Sequence, residues 1–324
     1  MKTMGFLISH KNGEKRRALI PADLANIENR GQLYFETGYG DAIGYSDEDY
    51  AAYGVHVVSR EEVLACDIIT DVKLGDADYL EEIGDNKILF GWAHAVQTIN
   101  FTSSVLNHNH TVIAWEEIVE NGRYIFYRNR EIAGEAAVIQ AYQYCGKMPY
   151  DTKVAILGNG QTAKGAMRIL HGLGAEVDVY GRRLESLFRQ NMYKYDVLVN
   201  CVMWDTSRTD RIIYAEDLKK MKPGTLIIDV SCDPHLEIET THATTIENPV
   251  YEIDGVIHYA VDNTPAMYPI TVTKILSQGL WPYIDIVLRG ESSKPLEDAT
   301  VIRDGHILDE RITAFRTVHG HFCK

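Results

Sequence analysis

Nothing in this 324-residue sequence approaches the roughly 18 consecutive apolar residues needed to cross a bilayer. The opening MKTMGFLISHKNGEKRR contains an apolar run far too short for a secretory signal. Cysteine is scarce: five, at positions 66, 145, 201, 232 and 323, with no C-x-x-C pair and an odd total. That argues against a disulfide framework and against a thiolate zinc site. Basic residues are in deficit, with 32 Lys plus Arg against 46 Asp plus Glu and a formal net charge of −14. A uniformly basic binder of nucleic acid or membrane surfaces is therefore disfavoured, while a local basic pocket for an anion remains allowed. Internal repeats, low-complexity tracts and flexible linkers are also missing. These absences predict a cytoplasmic protein with reduced thiols and no metal. Its partners are expected to be small-molecule substrates, not nucleic acid or membrane, with a homo-oligomer left open.

What is present is ordinary for a globular chain: 45% hydrophobic and 24% charged residues. At roughly 100–200 residues per domain, the length predicts about two domains. Short apolar runs at 4–8, 33–36, 55–58, 68–73, 87–91 and 111–114 alternate with helical segments, including 21–29, opened by a proline. Strands separated by helices imply a mostly parallel α/β sheet. A long helix over 131–144 is followed by Gly146 and Pro149, and another helical stretch spans 265–288 with prolines at 269 and 282. The tail has little periodicity. The expected architecture is α/β, two Rossmann-like doubly wound domains with a cleft between them. Residues 1–133 plus 286–324 would form the substrate domain and 134–285 the dinucleotide-binding domain.

The sharpest local signal is KVAILGNGQTAKGAMRILHGLGAEVDVYGRR at 153–183. Here Gly158-x-Gly160-x-x-Ala163 follows a strand directly and opens a helix, and a second strand follows at 176–180. The first glycine makes the tight turn and the second admits a pyrophosphate to the backbone. The small third residue lets helix and strand pack closely. A site for NAD places Asp or Glu at the tip of the second strand. This chain instead reads Tyr180-Gly181-Arg182-Arg183. Guanidinium groups suit a 2′-phosphate that a carboxylate would repel, so the expected cofactor is NADP(H).

Three groups stand out before that signal. Arg16, in Glu14-Lys15-Arg16-Arg17, suits a bidentate clamp on a substrate carboxylate, although the same residues also fit a charged surface loop. Lys73 and His94 each close an apolar run, so both sit at the same edge of a parallel sheet, where they are able to move protons. A snorkelling lysine and a structural histidine are the alternatives. Further on, Asp229 and Asp233 flank the end of a strand; one would serve the site and at least one a turn. His108 and His110 lie one residue apart with no carboxylate or thiol nearby in the sequence.

Laid end to end, these segments resemble the alanine dehydrogenase and pyridine nucleotide transhydrogenase superfamily. The carriers are Glu14 to Pro21, Asp71-Val72-Lys73, the stretch ending at His94, Met221 to Val230 before Asp233, and Val261 to Ala266. The resemblance implies that Arg16 and Lys73 bind substrate and that Lys73, His94 and Asp233 are catalytic. It implies a nucleotide site of Gly158, Gly160, Gln161, Thr162, Ala163, Arg182, Arg183, Cys201, Val202 and Asn263. Segments 194–200, 224–230, 242–252 and 262–265 are most similar to the branch that reductively condenses pyruvate with the side-chain amine of ornithine or lysine, using NADPH. A saccharopine dehydrogenase-like or alanine dehydrogenase-like enzyme, or a non-catalytic NADP-binding regulator, are the alternatives.

Overall fold

A computed structural model describes residues 1–205, 208–233 and 235–321. In it, the short apolar runs become strands because alternate side chains are buried on the two faces of a covered sheet. In chain order they are β1 (Met4–Phe6), β2 (Leu33–Glu36), β3 (His56–Val58), β4 (Ile68–Asp71), β5 (Ile88–Gly91), β6 (Thr111–Ala114), β7 (Val119–Glu120) and β8 (Arg123–Tyr124). There follow β9 (Lys153–Leu157), β10 (Glu176–Tyr180), β11 (Val197–Asn200), β12 (Leu226–Asp229), β13 (Val250–Ile253), β14 (Val256–Tyr259), β15 (Thr300–Arg303) and β16 (His306–Ile307).

The described chain divides into two compact units, 1–126 with 269 onward, and 127–268. In the first unit the sheet order is β16-β15-β6-β5-β4-β1-β2-β3. Strands β1 to β6 run parallel, while β15 joins β6 antiparallel. The weakly patterned tail thus adds two strands to this sheet. From β1 the chain winds to β2 and β3 on one side, then returns to β4 on the other, which puts the topological switch between β1 and β4.

The second unit has the order β10-β9-β11-β12-β14-β13, parallel except for the β13–β14 hairpin. Asp254 and Gly255 turn that hairpin with φ of 50° and 75°, as a tight turn matching strand twist requires. Its switch point lies between β9 and β11. Two helices, Tyr127–Ala141 and Gln161–Gly172, pack at glycine positions. A Cβ on Gly165 would lie 1.9 Å from the Glu131 carbonyl oxygen, and one on Gly134 would lie 2.1 Å from that of Thr162.

The unit boundaries differ from those expected at 133/134 and 285/286. The whole Pro269–Arg289 helix, with Pro282 inside it, goes with the first unit. Tertiary bonds explain this: the Arg17 and Ile20 amides donate to Thr273 Oγ1 (2.9 Å) and Ser277 Oγ (3.0 Å), and the Glu28 and Asn29 amides donate to Asp285. The same bonds cut the helix expected over 21–29 to the single turn Pro21–Leu24, because its later amides find partners outside it. Among the described residues, no helix is long and apolar enough to cross a membrane.

Candidate functional site

In the first unit the candidate residues come from loops after β1, β4 and β5, around the switch point. Arg16 is 2% exposed. Its Nε donates to Glu14 Oε1 at 2.8 Å and its Nη2 to Glu14 Oε2 at 2.5 Å, and its guanidinium carbon lies 5.0 Å from the centre of the Trp92 ring. A solvated loop does not look like this. Glu14 therefore occupies the Nε–Nη2 edge, the fork expected to take a substrate carboxylate. Arg17 is structural: its Nε donates to the Tyr39 carbonyl (2.5 Å) and its Nη1 to that of Arg16 (2.9 Å). Trp92 is fixed in turn, its indole N–H donating to Tyr124 Oη (2.9 Å) and its ring edge-on to Trp115 and Phe126.

Lys73 is buried just beyond β4, its amide donating to Asp71 Oδ1 at 2.8 Å. Tyr79 donates to the other Asp71 oxygen at 3.1 Å, and burial pushes this carboxyl up to about 6. Two glycines let the turns after β4 and β5 lie side by side. A Cβ on Gly91 would stand 2.1 Å from the Asp71 carbonyl oxygen, and one on Gly75 would stand 2.2 Å from that of Ala93. His94 is exposed and adopts a left-handed φ of 44°, which costs a non-glycine residue about 1–2 kcal/mol. Glu116 holds that turn, accepting from the His94 amide (2.5 Å) and the Ala93 amide (3.2 Å). Burial raises the Glu116 carboxyl above the ordinary range. Lys73 is thus buried and His94 exposed, so His94 is no core histidine.

In the second unit the three positions of the glycine motif differ in what surrounds them. Gly158 has φ 101°, and a Cβ there would stand 2.8 Å from the Cys201 carbonyl oxygen. Gly160 caps the Gln161–Gly172 helix and faces open space, with nothing within 4 Å of its Cβ position, while Ala163 is fully buried. Gln161 and Thr162 form the first turn of that helix. Open space before a helix N-terminus is what a pyrophosphate needs, so these residues fit a dinucleotide. Arg182 and Arg183 are exposed just after β10, and among the described residues neither has an ion-pair partner. Asp178, two residues short of that strand's end, accepts from Tyr195 Oη at 2.7 Å.

At the ends of β11 and β12 the Val202 amide donates to Asn200 Oδ1 (3.2 Å), and burial pushes up the Cys201 thiol. Asp229 makes the turn, accepting at Oδ1 from Asn200 Nδ2 and from the amides of Ser231 and Cys232. Burial, then the nearby Asp229 charge, raises the Asp233 carboxyl. Asn263, left-handed at φ 66°, caps the 264–267 turn, whose Thr264 hydroxyl donates to the Ala133 carbonyl.

Sequence reading missed Trp92, Glu116, Asn200 and Glu237; the contacts that mark them, to Arg16, His94, Asp229 and Asn200 respectively, span 22 or more residues, so no local spacing reveals them. One expectation is corrected. His108 does have carboxylates beside it, Glu81 at 3.0 Å and Asp85 at 2.8 Å, brought in from the segment before β5. Among the described residues, no group of three or more His, Cys, Asp or Glu is placed to hold a metal ion. Cys66, Cys145, Cys201 and Cys232 are free thiols, and Cys323 lies outside the described residues.

Residues 9–126 match the family described as "Alanine dehydrogenase/PNT, N-terminal domain", and residues 135–313 match its "C-terminal domain". The chain is 33% identical over 294 residues to N(5)-(carboxyethyl)ornithine synthase of Lactococcus lactis subsp. lactis (strain IL1403), covering 85% of this chain and 93% of that one. Identity to the Clostridium botulinum synthase of that name is 30%, with 87% and 93% covered. It is 27% for an alanine dehydrogenase of Methanococcus maripaludis, with 96% and 94% covered. The fold is similar to that of a solved L-alanine dehydrogenase, with a TM-score of 0.84 at 22% identity over 98% of this chain and 99% of the other. A transhydrogenase from Sinorhizobium meliloti gives 0.79 at 17%, with 94% and 98% covered.

Proposed function

The chain belongs to the alanine dehydrogenase/PNT family and is an oxidoreductase acting on CH–NH bonds, and we propose that it joins pyruvate to the side-chain amine of ornithine or lysine with NADPH as reductant. The products are N5-(1-carboxyethyl)ornithine or N6-(1-carboxyethyl)lysine. Identities of 30–33% to the carboxyethylornithine synthases support the pyruvate and amine assignment. The observation that carries the choice of cofactor is the pair of exposed arginines after β10, without ion-pair partners among the described residues, in a sequence with no carboxylate at the strand tip.

In this reading Arg16 takes the pyruvate carboxylate, with Glu14 orienting its guanidinium and Trp92 setting the plane of that cation. The amine attacks the ketone as the neutral base. Lys73 and His94 transfer the protons: one passes from the attacking nitrogen to the former ketone oxygen to give the carbinolamine, and a second is donated to that oxygen as it departs as water and the protonated C=N bond forms. Glu116 fixes the backbone of His94, which sets where its imidazole is presented. Gly158, Gly160, Gln161, Thr162 and Ala163 hold the pyrophosphate side of the nucleotide, Arg182 and Arg183 its 2′-phosphate. Cys201, Val202, Asp233 and Asn263 border its nicotinamide. A bound reduced nicotinamide supplies the two electrons that reduce the C=N carbon.

Loss of NADPH absorbance is the test, with pyruvate present and ornithine, lysine, ammonium or no amine added in parallel. Oxidation that requires pyruvate together with ornithine or lysine is the expected result. Ammonium sufficing would make the chain an alanine dehydrogenase in activity. Silence with pyruvate, followed by turnover of 2-oxoglutarate with lysine, would make it saccharopine-forming. Silence throughout would leave a nucleotide-binding regulator.

A further inference from the structure

A buried carboxyl with no catalytic assignment lies under the nucleotide edge of the second unit. Glu237 is 0% exposed. Its Oε1 accepts one hydrogen bond, from Asn200 Nδ2 at 2.9 Å, and its Oε2 has no hydrogen-bond partner among the described residues. The other Asn200 amide hydrogen goes to Asp229 Oδ1, also at 2.9 Å. One side-chain amide thus bridges two buried carboxyl groups. The two are not equivalent. Each keeps one oxygen without a hydrogen-bond partner among the described residues, and burial raises both. But Asp229 Oδ1 also receives the Ser231 and Cys232 amides, so the negative charge is better placed there and a proton is better placed on Glu237. Burial, then the Asp229 charge, pushes Glu237 up to about 7. The titratable groups facing it from the packed elements are Asp229 at the end of β12 and, in the turn that follows, Cys232 and Asp233.

What the amide holds matters for the nucleotide. Asn200 Oδ1 accepts the Val202 amide, which closes the turn of Cys201, and the Cys201 carbonyl is the atom against which Gly158 packs. A chain of contacts therefore runs from Glu237 through Asn200 to the first glycine of the dinucleotide motif. We propose that Glu237 is a positioning residue that keeps its proton in the nucleotide-binding state and braces the Asn200–Val202 turn beneath Gly158; its ionisation sets a second negative charge beside Asp229 on the one Asn200 amide, and the repulsion between the two carboxylates displaces that turn, so that nicotinamide-nucleotide affinity falls as pH rises. The proposal rests on the reading of this motif as the nucleotide site but does not depend on which of the two nucleotides binds.

By linkage, if the protonated form binds nucleotide better, nucleotide raises the pKa of Glu237, and affinity changes by at most about tenfold per pH unit. The test is carbon-13 NMR of the full chain labelled at the glutamate carboxyl, with the Glu237 signal identified by its loss in Glu237→Gln. It is followed by fluorescence titration with NADPH and with NADH from pH 6 to 8.5. The expected result is a Glu237 midpoint near neutral that moves up on binding. Wild-type affinity should fall about threefold to tenfold over that range, and E237Q, which mimics the protonated form, should show no such step. A Glu237 signal that titrates in the ordinary glutamate range, or an identical pH profile in E237Q, overturns the proposal. Failure of both nucleotides to bind wild type at pH 6 overturns the nucleotide-site reading and, with it, the coupling to affinity. A near-neutral Glu237 midpoint in the same sample would then establish a purely structural brace.

Discussion

Glu14 grips Arg16 along one edge of the guanidinium, Nε to Oε1 at 2.8 Å and Nη2 to Oε2 at 2.5 Å, with the two side chains 0% and 1% exposed. A buried cation in this state is neutralised on one side and stacked on Trp92 beneath. The pair orients Arg16, and Arg16 is the group assigned to the 2-oxo acid.

Removing one partner leaves the other charge buried. Glu14→Gln should therefore lower the unfolding free energy by about 3–5 kcal/mol. The Michaelis constant for pyruvate should rise more than that for NADPH. Urea unfolding and paired substrate titrations check both. An equal rise in the two constants would mean general loosening instead of a misplaced Arg16.

The cofactor assignment has its own test. If Arg182 and Arg183 bind the 2′-phosphate as proposed, replacing both by Ala would remove hydrogen bonds to a charged group worth about 1.5–3 kcal/mol each, so NADPH should bind at least about tenfold more weakly while NADH is spared. Isothermal titration with the two nucleotides reads the difference. Equal losses would take the 2′-phosphate away from these residues.

His94→Ala should lower kcat by about 10²–10⁴ and leave NADPH binding nearly intact, because the nucleotide motif lies wholly in the other unit. Full turnover in this variant would remove His94 from the reaction. Weakened nucleotide binding would mean that its effect is not chemical.

Asp71 gives a pH prediction with a definite sign. Its carboxyl is raised from 3.8 to about 6 chiefly by burial, so the folded state holds its proton more tightly than the unfolded chain. Stability contributed by that proton is full below about 4 and is lost as pH climbs through about 6, amounting to about 3 kcal/mol. Asp71→Asn keeps an acceptor for the Lys73 amide and cannot ionise. Measured by urea unfolding from pH 4 to 7, the variant should gain on wild type as pH rises. A constant difference would place the Asp71 midpoint outside this window.

Glycine at 165 is a steric requirement of the helix pair. Gly165→Ala puts a Cβ 1.9 Å from the Glu131 carbonyl oxygen, where only backbone movement relieves it. Loss of about 1–3 kcal/mol is expected in the unfolding of the second unit. Gly172→Ala, with nothing within 4 Å of its Cβ position, is the control in the same helix.

Local signals in the sequence determined a large part of this protein. Gly158, Gly160 and Ala163 are legible because a strand, a tight turn and a helix succeed one another within a dozen residues, each step needing a particular side-chain size. Lys73 and His94 are legible as candidates because each ends an apolar run, and parallel strands bring such ends to one edge. Other features were decided only when distant segments met. Trp92 comes under Arg16 from 76 positions away, Glu116 holds the His94 turn, and Glu237 reaches Asn200 across 37 residues. The Pro269–Arg289 helix falls to the first unit through hydrogen bonds to Arg17 and Ile20, more than 250 residues distant. The physical reason is common to all of them. Burial and hydrogen-bond satisfaction are properties of the assembled interior, whereas propensity, turn chemistry and strand alternation are properties of neighbouring residues.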